Sequence, residues 1–404
     1  MKRNPIFFIH PPKSGGSTVI SFFDLNVGAG GFASFERGSS GWQSTRENFI
    51  RTRVGGGHEP YGMHSELRLA LDYCTIVRDP LARQISHYWY ARTGKNGAVA
   101  RGTSMSSREG SVQRGEISLD EWVKNSWAGT NMFVQMLSGH QTVDTKSLDA
   151  ALTNLERYIK TAGTCEDMSA FLLRLSGRIG FEFPFYINTN NTEKTGKDAA
   201  PISDAAVETF KRSNSLDYEL FRHVKERADK EIRDEGAVFH RAMEVVKAVQ
   251  SEINKLENPY SHRSILSGFD PDYLAHVRQV ARRFDLGPIR EYVHFCQTQQ
   301  RTEFDLYDGF VDSVDNGVVS GWVVNLSHPE KKVLVEICVG DRVVASGLTS
   351  GYRPDLLAVG YPTSEAGFSI QLPASAMGGF RVAVAGSSEM LHGTGAWQHG
   401  WHHA

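Results

Sequence analysis

No stretch of this chain approaches the roughly 18 consecutive apolar residues that a membrane-crossing helix needs. A Lys-Arg pair near the N-terminus precedes an apolar run, as in a secretion signal. That run is only Ile6, Phe7, Phe8 and Ile9, short of the roughly 7–15 residues of a signal core. Pro11-Pro12-Lys13 follows it, not a small-residue cleavage site. The expectation is a chain that starts directly with structure, has no transmembrane segment and works in the cytoplasm. Cysteine is scarce: Cys74, Cys165, Cys296 and Cys338 are far apart, with no C-x-x-C pair. That argues against a disulfide framework or a structural zinc site and leaves four buried thiols. An excess of one charge is also missing, since 44 Lys and Arg against 46 Asp and Glu leave a formal −2. A surface given over to nucleic acid or anionic membrane is thereby excluded, although a local basic site is compatible. There are no internal repeats.

What is present is an ordinary globular composition, 40% hydrophobic and 22% charged over 404 residues. At about 150 residues per domain this is material for two or three. Residues 1–235 alternate short apolar runs with amphipathic segments. Ile6-Phe7-Phe8-Ile9 reads as a buried strand and 17–25 as a helix; 73–77 reads as a second buried strand. Pro80 then opens a helix that runs through Tyr90, because proline suits the first helical turn. Strand–helix alternation predicts an α/β domain with a parallel sheet covered on both faces. Residues 93–115, rich in Gly, Ser and Arg, are expected to form a surface loop. Residues 236–302 have helical spacing and read as a spacer or extension. From about 303 to 390 the period falls to two: Val333, Val335, Ile337 and Val339 alternate, Gly340-Asp341 makes a turn, and Val343 follows. A small all-β sandwich is expected there, with Trp322 in its core and not a sugar platform. Residues 391–404 read as a frayed tail whose histidines hold no metal.

Two segments carry chemistry. Directly after the first strand comes Pro12-Lys13-Ser14-Gly15-Gly16-Ser17-Thr18. Glycines permit a tight turn, Lys13 adds a point charge, and the hydroxyls of Ser14, Ser17 and Thr18 can donate to oxyanions. The helix that begins here adds its positive end. This is the physics of a phosphate cradle, but not a Walker A loop, because Lys13 precedes the glycines. The second segment is Arg78-Asp79-Pro80-Leu81-Ala82-Arg83-Gln84-Ile85-Ser86-His87-Tyr88. Arg78 stands at a strand's C-terminal end, where open α/β sheets place ligands. Ser86 lies two turns into the next helix, so a guanidinium and a hydroxyl can hold a second phosphate.

Together these segments resemble the cofactor signatures of the sulfotransferases that use 3′-phosphoadenosine 5′-phosphosulfate (PAPS). The first is similar to their 5′-phosphosulfate loop. The second is similar to their 3′-phosphate signature, through Arg78, Asp79, Pro80, Arg83, Ser86 and Tyr88. The closest branch is that of the heparan 2-O-sulfotransferases and their bacterial relatives. Fainter echoes fall at 131–139 and 214–221, and the resemblance spans about residues 5–230. It implies a P-loop-like parallel sheet, PAPS as donor, adenosine 3′,5′-bisphosphate (PAP) as product, and no metal. It also implies a hydroxyl acceptor, a glycan first. Gly57-His58-Glu59-Pro60-Tyr61-Gly62-Met63-His64 resembles the same branch and implies His58 as general base, with Glu59 and then His64 behind it. Imidazole suits that role because its pKa lies near working pH. Lys13 and His58 are then the catalytic pair, and Ser14, Gly15, Gly16, Ser17, Thr18, Arg78 and Ser86 bind the donor with Lys13. The β-rich end loosely resembles modules appended to bacterial glycan-modifying enzymes. It and the helical stretch are the expected places for self-association. Two other readings stand beside this one. A P-loop nucleotide-dependent kinase is opposed by the Lys-before-Gly order. A catalytically inactive nucleotide-binding regulator is opposed by the intact Lys13 and His58.

Overall fold

The computed structural model describes residues 4–36, 40–93, 108–188, 202–259, 268–299, 302–373, 376, 379–387 and 390–393. The chain divides into two compact units. One comprises Met1–Tyr61 and Asp72–Arg301, the other Gly62–Leu71 and Thr302–Ala404.

The first unit is α/β. Its strands are β1 (Ile6–Ile9), β2 (Ala33–Phe35), β3 (Val54–Gly57), β4 (Asp72–Val77) and β5 (Ile159–Thr164). They form one sheet in the order β2-β3-β1-β4-β5, parallel throughout. The apolar run of β1 is buried because a parallel sheet is covered on both faces. Helices α1 (Gly16–Val27) and α2 (Trp42–Thr52) follow β1 and β2; α3 (Met63–Leu67) belongs to the second unit. Then come α4 (Pro80–Arg92), α5 (Arg108–Arg114), α6 (Leu119–Lys124), α7 (Met132–Ser138), α8 (Thr145–Arg157) and α9 (Met168–Ile179). One core joins Phe8, Val19, Phe22, Cys74 and Ile76 to Phe171 and Leu175 of α9.

Pro80 stands in the first turn of α4, as the sequence leads one to expect, and Asp79 caps the helix by accepting the Ala82 amide at 2.8 Å. The expected loop at 93–115 is corrected at its end, since 108–114 is α5; residues 94–107 lie outside the described set. Their Gly and Ser richness had been extended to neighbours that have ordinary helix formers.

The unit continues through α10 (Asp204–Ser213), α11 (Ser215–Ile253), α12 (Pro271–Ala281) and α13 (Gly287–Thr298). α11 is broken at Gly236, whose φ of 57° and ψ of −137° are not helical. Phe239, Val246 and Val249 of its second half pack with Leu274, Val277 and Tyr292, and with Leu25 of α1. The turn before α7 is built against the start of α11. Asp217 accepts the Phe133 and Val134 amides at 3.2 and 3.0 Å. Asn131 and Asn214 bond each other's backbone neighbourhood, Asn131 N to Asn214 Oδ1 at 3.0 Å and Asp217 N to Asn131 Oδ1 at 3.1 Å.

The second unit holds two further sheets. The strands are β6 (Tyr307–Asp315), β7 (Val318–Asn325), β8 (Leu334–Val339), β9 (Arg342–Leu348), β10 (Gly351–Tyr352), β11 (Glu365–Gln371), β12 (Arg381–Val384) and β13 (His392–Gly393), with α14 (Pro354–Ala358) among them. The orders are β10-β11-β7-β6-β13 and β12-β8-β9. Pairing is antiparallel except for β13 on β6. Val311, Val319, Val323, Phe368 and Ile370 of one sheet share a core with Val335, Ile337 and Val382 of the other. The hairpin of β8 and β9 turns at Gly340, φ 58°. Trp322 is a correction: it stands outside that core, half-buried, with its ring 4.9 Å from Tyr361. Strand alternation sends Val323 inward and therefore Trp322 outward. Residues 394–404 of the expected tail lie outside the described set.

Among the described residues no helix is long and apolar enough to cross a membrane. Cys74, Cys296 and Cys338 are buried thiols as expected, whereas Cys165 is only partly buried.

Candidate active site

The carboxyl ends of β3, β1 and β4 lie side by side. Ile9 of β1 is in register with Gly57 of β3 and with Thr75 of β4. β1 is flanked by β3 on one side and β4 on the other, so the strand order reverses there. In open parallel sheets that crevice is where ligands bind. The loop of Lys13 and Ser14 follows β1, His58 follows β3 and Arg78 follows β4. The sheet thus brings the cradle, the candidate base and the candidate arginine to one edge.

The loop between β1 and α1 is tightly folded. Lys13 and Gly15 have φ of 65° and 82°, and the Ser14 amide donates to the Pro11 carbonyl at 3.3 Å. Gly15 is the N-cap of α1 in a left-handed conformation, which glycine adopts without steric cost. The first helical turn leaves the Gly16 and Ser17 amides without intrahelical acceptors. Gly16 makes room for a neighbour: a Cβ there would fall 1.7 Å from His10 Nε2. Ser14 is fully buried and its hydroxyl has no partner, which costs free energy unless a ligand satisfies it. Thr18 is buried and Ser17 half-buried.

Arg78 donates from Nη1 to the Lys13 carbonyl at 3.3 Å, tying the end of β4 to the cradle. The Lys13 ammonium rests 3.8 Å from the centroid of the Tyr90 ring on α4. Ser86 is one turn before Tyr90, and residues four apart share a helix face. The remaining signature residues have structural work. Arg83 is buried and donates to the Ala128 and Gly129 carbonyls at 3.1 Å each. Tyr88 donates to the Ile117 carbonyl at 3.2 Å.

His58 is exposed, and its Nδ1 lies 2.7 Å from the His10 carbonyl oxygen. A carbonyl only accepts, so in the neutral ring Nδ1 carries the proton and Nε2 keeps its lone pair. His10 stacks on Phe8, 5.4 Å between centroids at 14°, and its ring is 4.4 Å from that of His58. Burial first, then the nearby charges of His58 and Lys13, holds the His10 imidazole well below its usual range and hence neutral. The glycines before His58 form strand β3. A Cβ at Gly56 would be 2.1 Å from the Phe8 carbonyl oxygen, so they serve close strand approach. Glu59 is buried. His64 belongs to the second unit, where it hydrogen-bonds the Tyr307 backbone; burial lowers its pKa to about 4.

Sequence reasoning missed the contribution of β5. Cys165 Sγ lies 3.1 Å from where a Gly15 Cβ would stand, and Glu166 accepts the Asp79 amide at 3.1 Å. It also missed His10, two residues before the cradle segment, and Tyr90, two residues after the second segment. Among the described residues no group of three or more His, Cys, Asp or Glu is placed to hold a metal. In comparison with known proteins, the chain matches no family model, no curated protein and no solved structure.

Proposed function

We propose that this protein is a PAPS-dependent O-sulfotransferase, with a glycan hydroxyl as the first acceptor class to test. The observation that carries the reading is the convergence of His58, the Lys13 loop and Arg78 at the carboxyl ends of three adjacent strands. The residues around them resemble the donor signatures, the second through Arg78, Asp79, Pro80, Arg83, Ser86 and Tyr88. The site also fits an anionic donor chemically. The buried Ser14 hydroxyl is unpartnered, two amides of α1 point out of its first turn, and two cations, Lys13 and Arg78, adjoin the same loop.

The residues that would hold the donor are Lys13, Ser14, Gly15, Gly16, Ser17 and Thr18 at the sulfuryl end, and Arg78 and Ser86 at the other phosphate. When bound, PAPS supplies the sulfuryl group and a stable nucleotide leaving group. His58 Nε2 accepts the proton of the attacking hydroxyl, and its ring is held for this by the His10 carbonyl. Lys13, the Ser14 hydroxyl and the first-turn amides offset the negative charge that develops on the departing side. Binding of PAP by calorimetry, with ATP as comparison, tests the reading. PAP should bind more tightly than ATP, because the Arg78 and Ser86 pair addresses a 3′-phosphate that ATP lacks.

A further inference from the structure

We propose that Tyr90 is a positioning residue of the anion cradle, its ring holding the Lys13 ammonium beside Ser86 on α4. This rests on the donor-binding reading above and extends it. The backbone of Lys13 is fixed by its left-handed φ of 65° and by the Arg78 bond to its carbonyl. Its side chain then reaches α4, where Nζ sits 3.8 Å from the Tyr90 centroid. A long lysine side chain loses rotamer freedom when it is fixed at an anion. A ring that already holds the ammonium removes part of that cost before the anion arrives. Tyr90 and not the signature aromatic does this, because Tyr88 is buried and donates to the Ile117 carbonyl. Tyr90 follows Ser86 by four residues, so the ring that holds the ammonium and Ser86 belong to one helix face. The imidazoles of His10 and His87, both close enough to feel the Lys13 charge, are kept neutral by burial. Neither competes with the ammonium as the local cation.

The test uses the full chain, with PAP and inorganic pyrophosphate as probes in calorimetric titrations. Tyr90→Leu and Tyr90→Met should each weaken binding of both probes by about 3- to 30-fold, the range of a cation–π contact. Tyr90→Phe, which keeps the ring, should stay within about 2-fold. Lys13→Ala combined with Tyr90→Leu should bind no more weakly than Lys13→Ala alone, since a ring acting through Lys13 has nothing left to position. A merely structural Tyr90 would lower the melting temperature and give additive losses. Additive losses, or a Tyr90→Phe variant as weak as Tyr90→Leu, overturn the proposal. A parent that binds pyrophosphate but not PAP overturns the donor reading alone, and the pyrophosphate series then decides the role of Tyr90. A parent that binds neither probe overturns both.

Discussion

His58 presents Nδ1 to the backbone carbonyl of His10 at 2.7 Å, and the two rings stand 4.4 Å apart. The residue that precedes the cradle therefore also orients the candidate base. In the proposed function the acceptor and donor roles meet at one turn of chain, and single substitutions should separate them.

Lys13→Ala should lower sulfuryl transfer by at least about 100-fold at saturating donor, on the scale of losing one preorganised donor group. Steady-state rates on one acceptor check this. A near-normal rate would remove Lys13 from the chemistry.

His58→Ala and Arg78→Ala should fail in different ways. The first should bind PAP almost as well as the parent and transfer very slowly, because the role proposed for His58 is on the acceptor. The second should weaken PAP binding by about 1.5–3 kcal/mol, the cost of a charged hydrogen bond. Loss of PAP binding in a folded His58→Ala variant would assign that ring to the donor site.

Arg83 and Asp217 are matched to stability. Arg83 is 1% exposed and holds the Ala128 and Gly129 carbonyls. Asp217 caps α7. Arg83→Ala leaves buried acceptors unpaired and should destabilise by about 2–4 kcal/mol in denaturant melts. Arg83→Lys should recover little, because one ammonium cannot reproduce the guanidinium fork.

Acid should destabilise the chain through its buried histidines. Burial lowers the folded-state pKa of His64 and of His87 to about 4, against about 6.5 when unfolded. Between those values the unfolded chain binds more protons, so their contribution is full above about pH 6.5 and is lost as pH falls toward 4. Asp24 and Asp217 oppose this, since burial raises each to about 6. Their contribution is full below about pH 3.8 and is lost as pH rises through 6. His64→Phe should flatten the fall in melting temperature between pH 6.5 and 4. An unchanged slope would show that His64 is not held neutral in the fold.

The segment Gly62–Leu71, which joins β3 to β4 in sequence, has its partners in the second unit. His64 meets the Tyr307 backbone, Ser65 meets Asp308, and Arg68 meets the Val359 carbonyl and the Tyr361 ring. A chain ending at Arg301 loses all four partners. It should melt lower and transfer more slowly to short and long acceptors alike, because what it loses supports the link between His58 and Arg78. A selective rise in KM for a polymer would instead make the β-sheets of that unit a glycan-holding surface.

Much of the backbone around the candidate site was legible because its signals are local. A buried run ending in a Gly-Gly turn, and a strand followed by Arg78 with Pro80 opening the next helix, specify backbone within a few residues. β3 was not legible, because Val54-Gly55-Gly56-Gly57 has a single β-branched residue followed by three glycines, which are depleted in strands. Its glycines answer to neighbours brought in by the fold, the Phe8 and Phe35 carbonyls. The place of β5 was hidden for the same reason: Cys165 and Glu166 adjoin Gly15 and Asp79 only across the sheet. Membership of 62–71 in the second unit rests on partners more than 230 positions away, such as Tyr307 for His64, and leaves no periodic trace. Trp322 was misplaced by reading a tryptophan as core material without following the strand's alternation.

The central claim is that the Lys13 loop, Arg78 and Ser86 form a site for a nucleotide phosphorylated at both the 3′ and 5′ positions. Calorimetric titration of the full chain with PAP and, separately, with ATP tests it most directly. The account predicts a single PAP site that binds at least about 10-fold more tightly than ATP, the return on one additional charged hydrogen-bonded phosphate, and that Arg78→Ala removes this preference. Equal or tighter binding of ATP would contradict it.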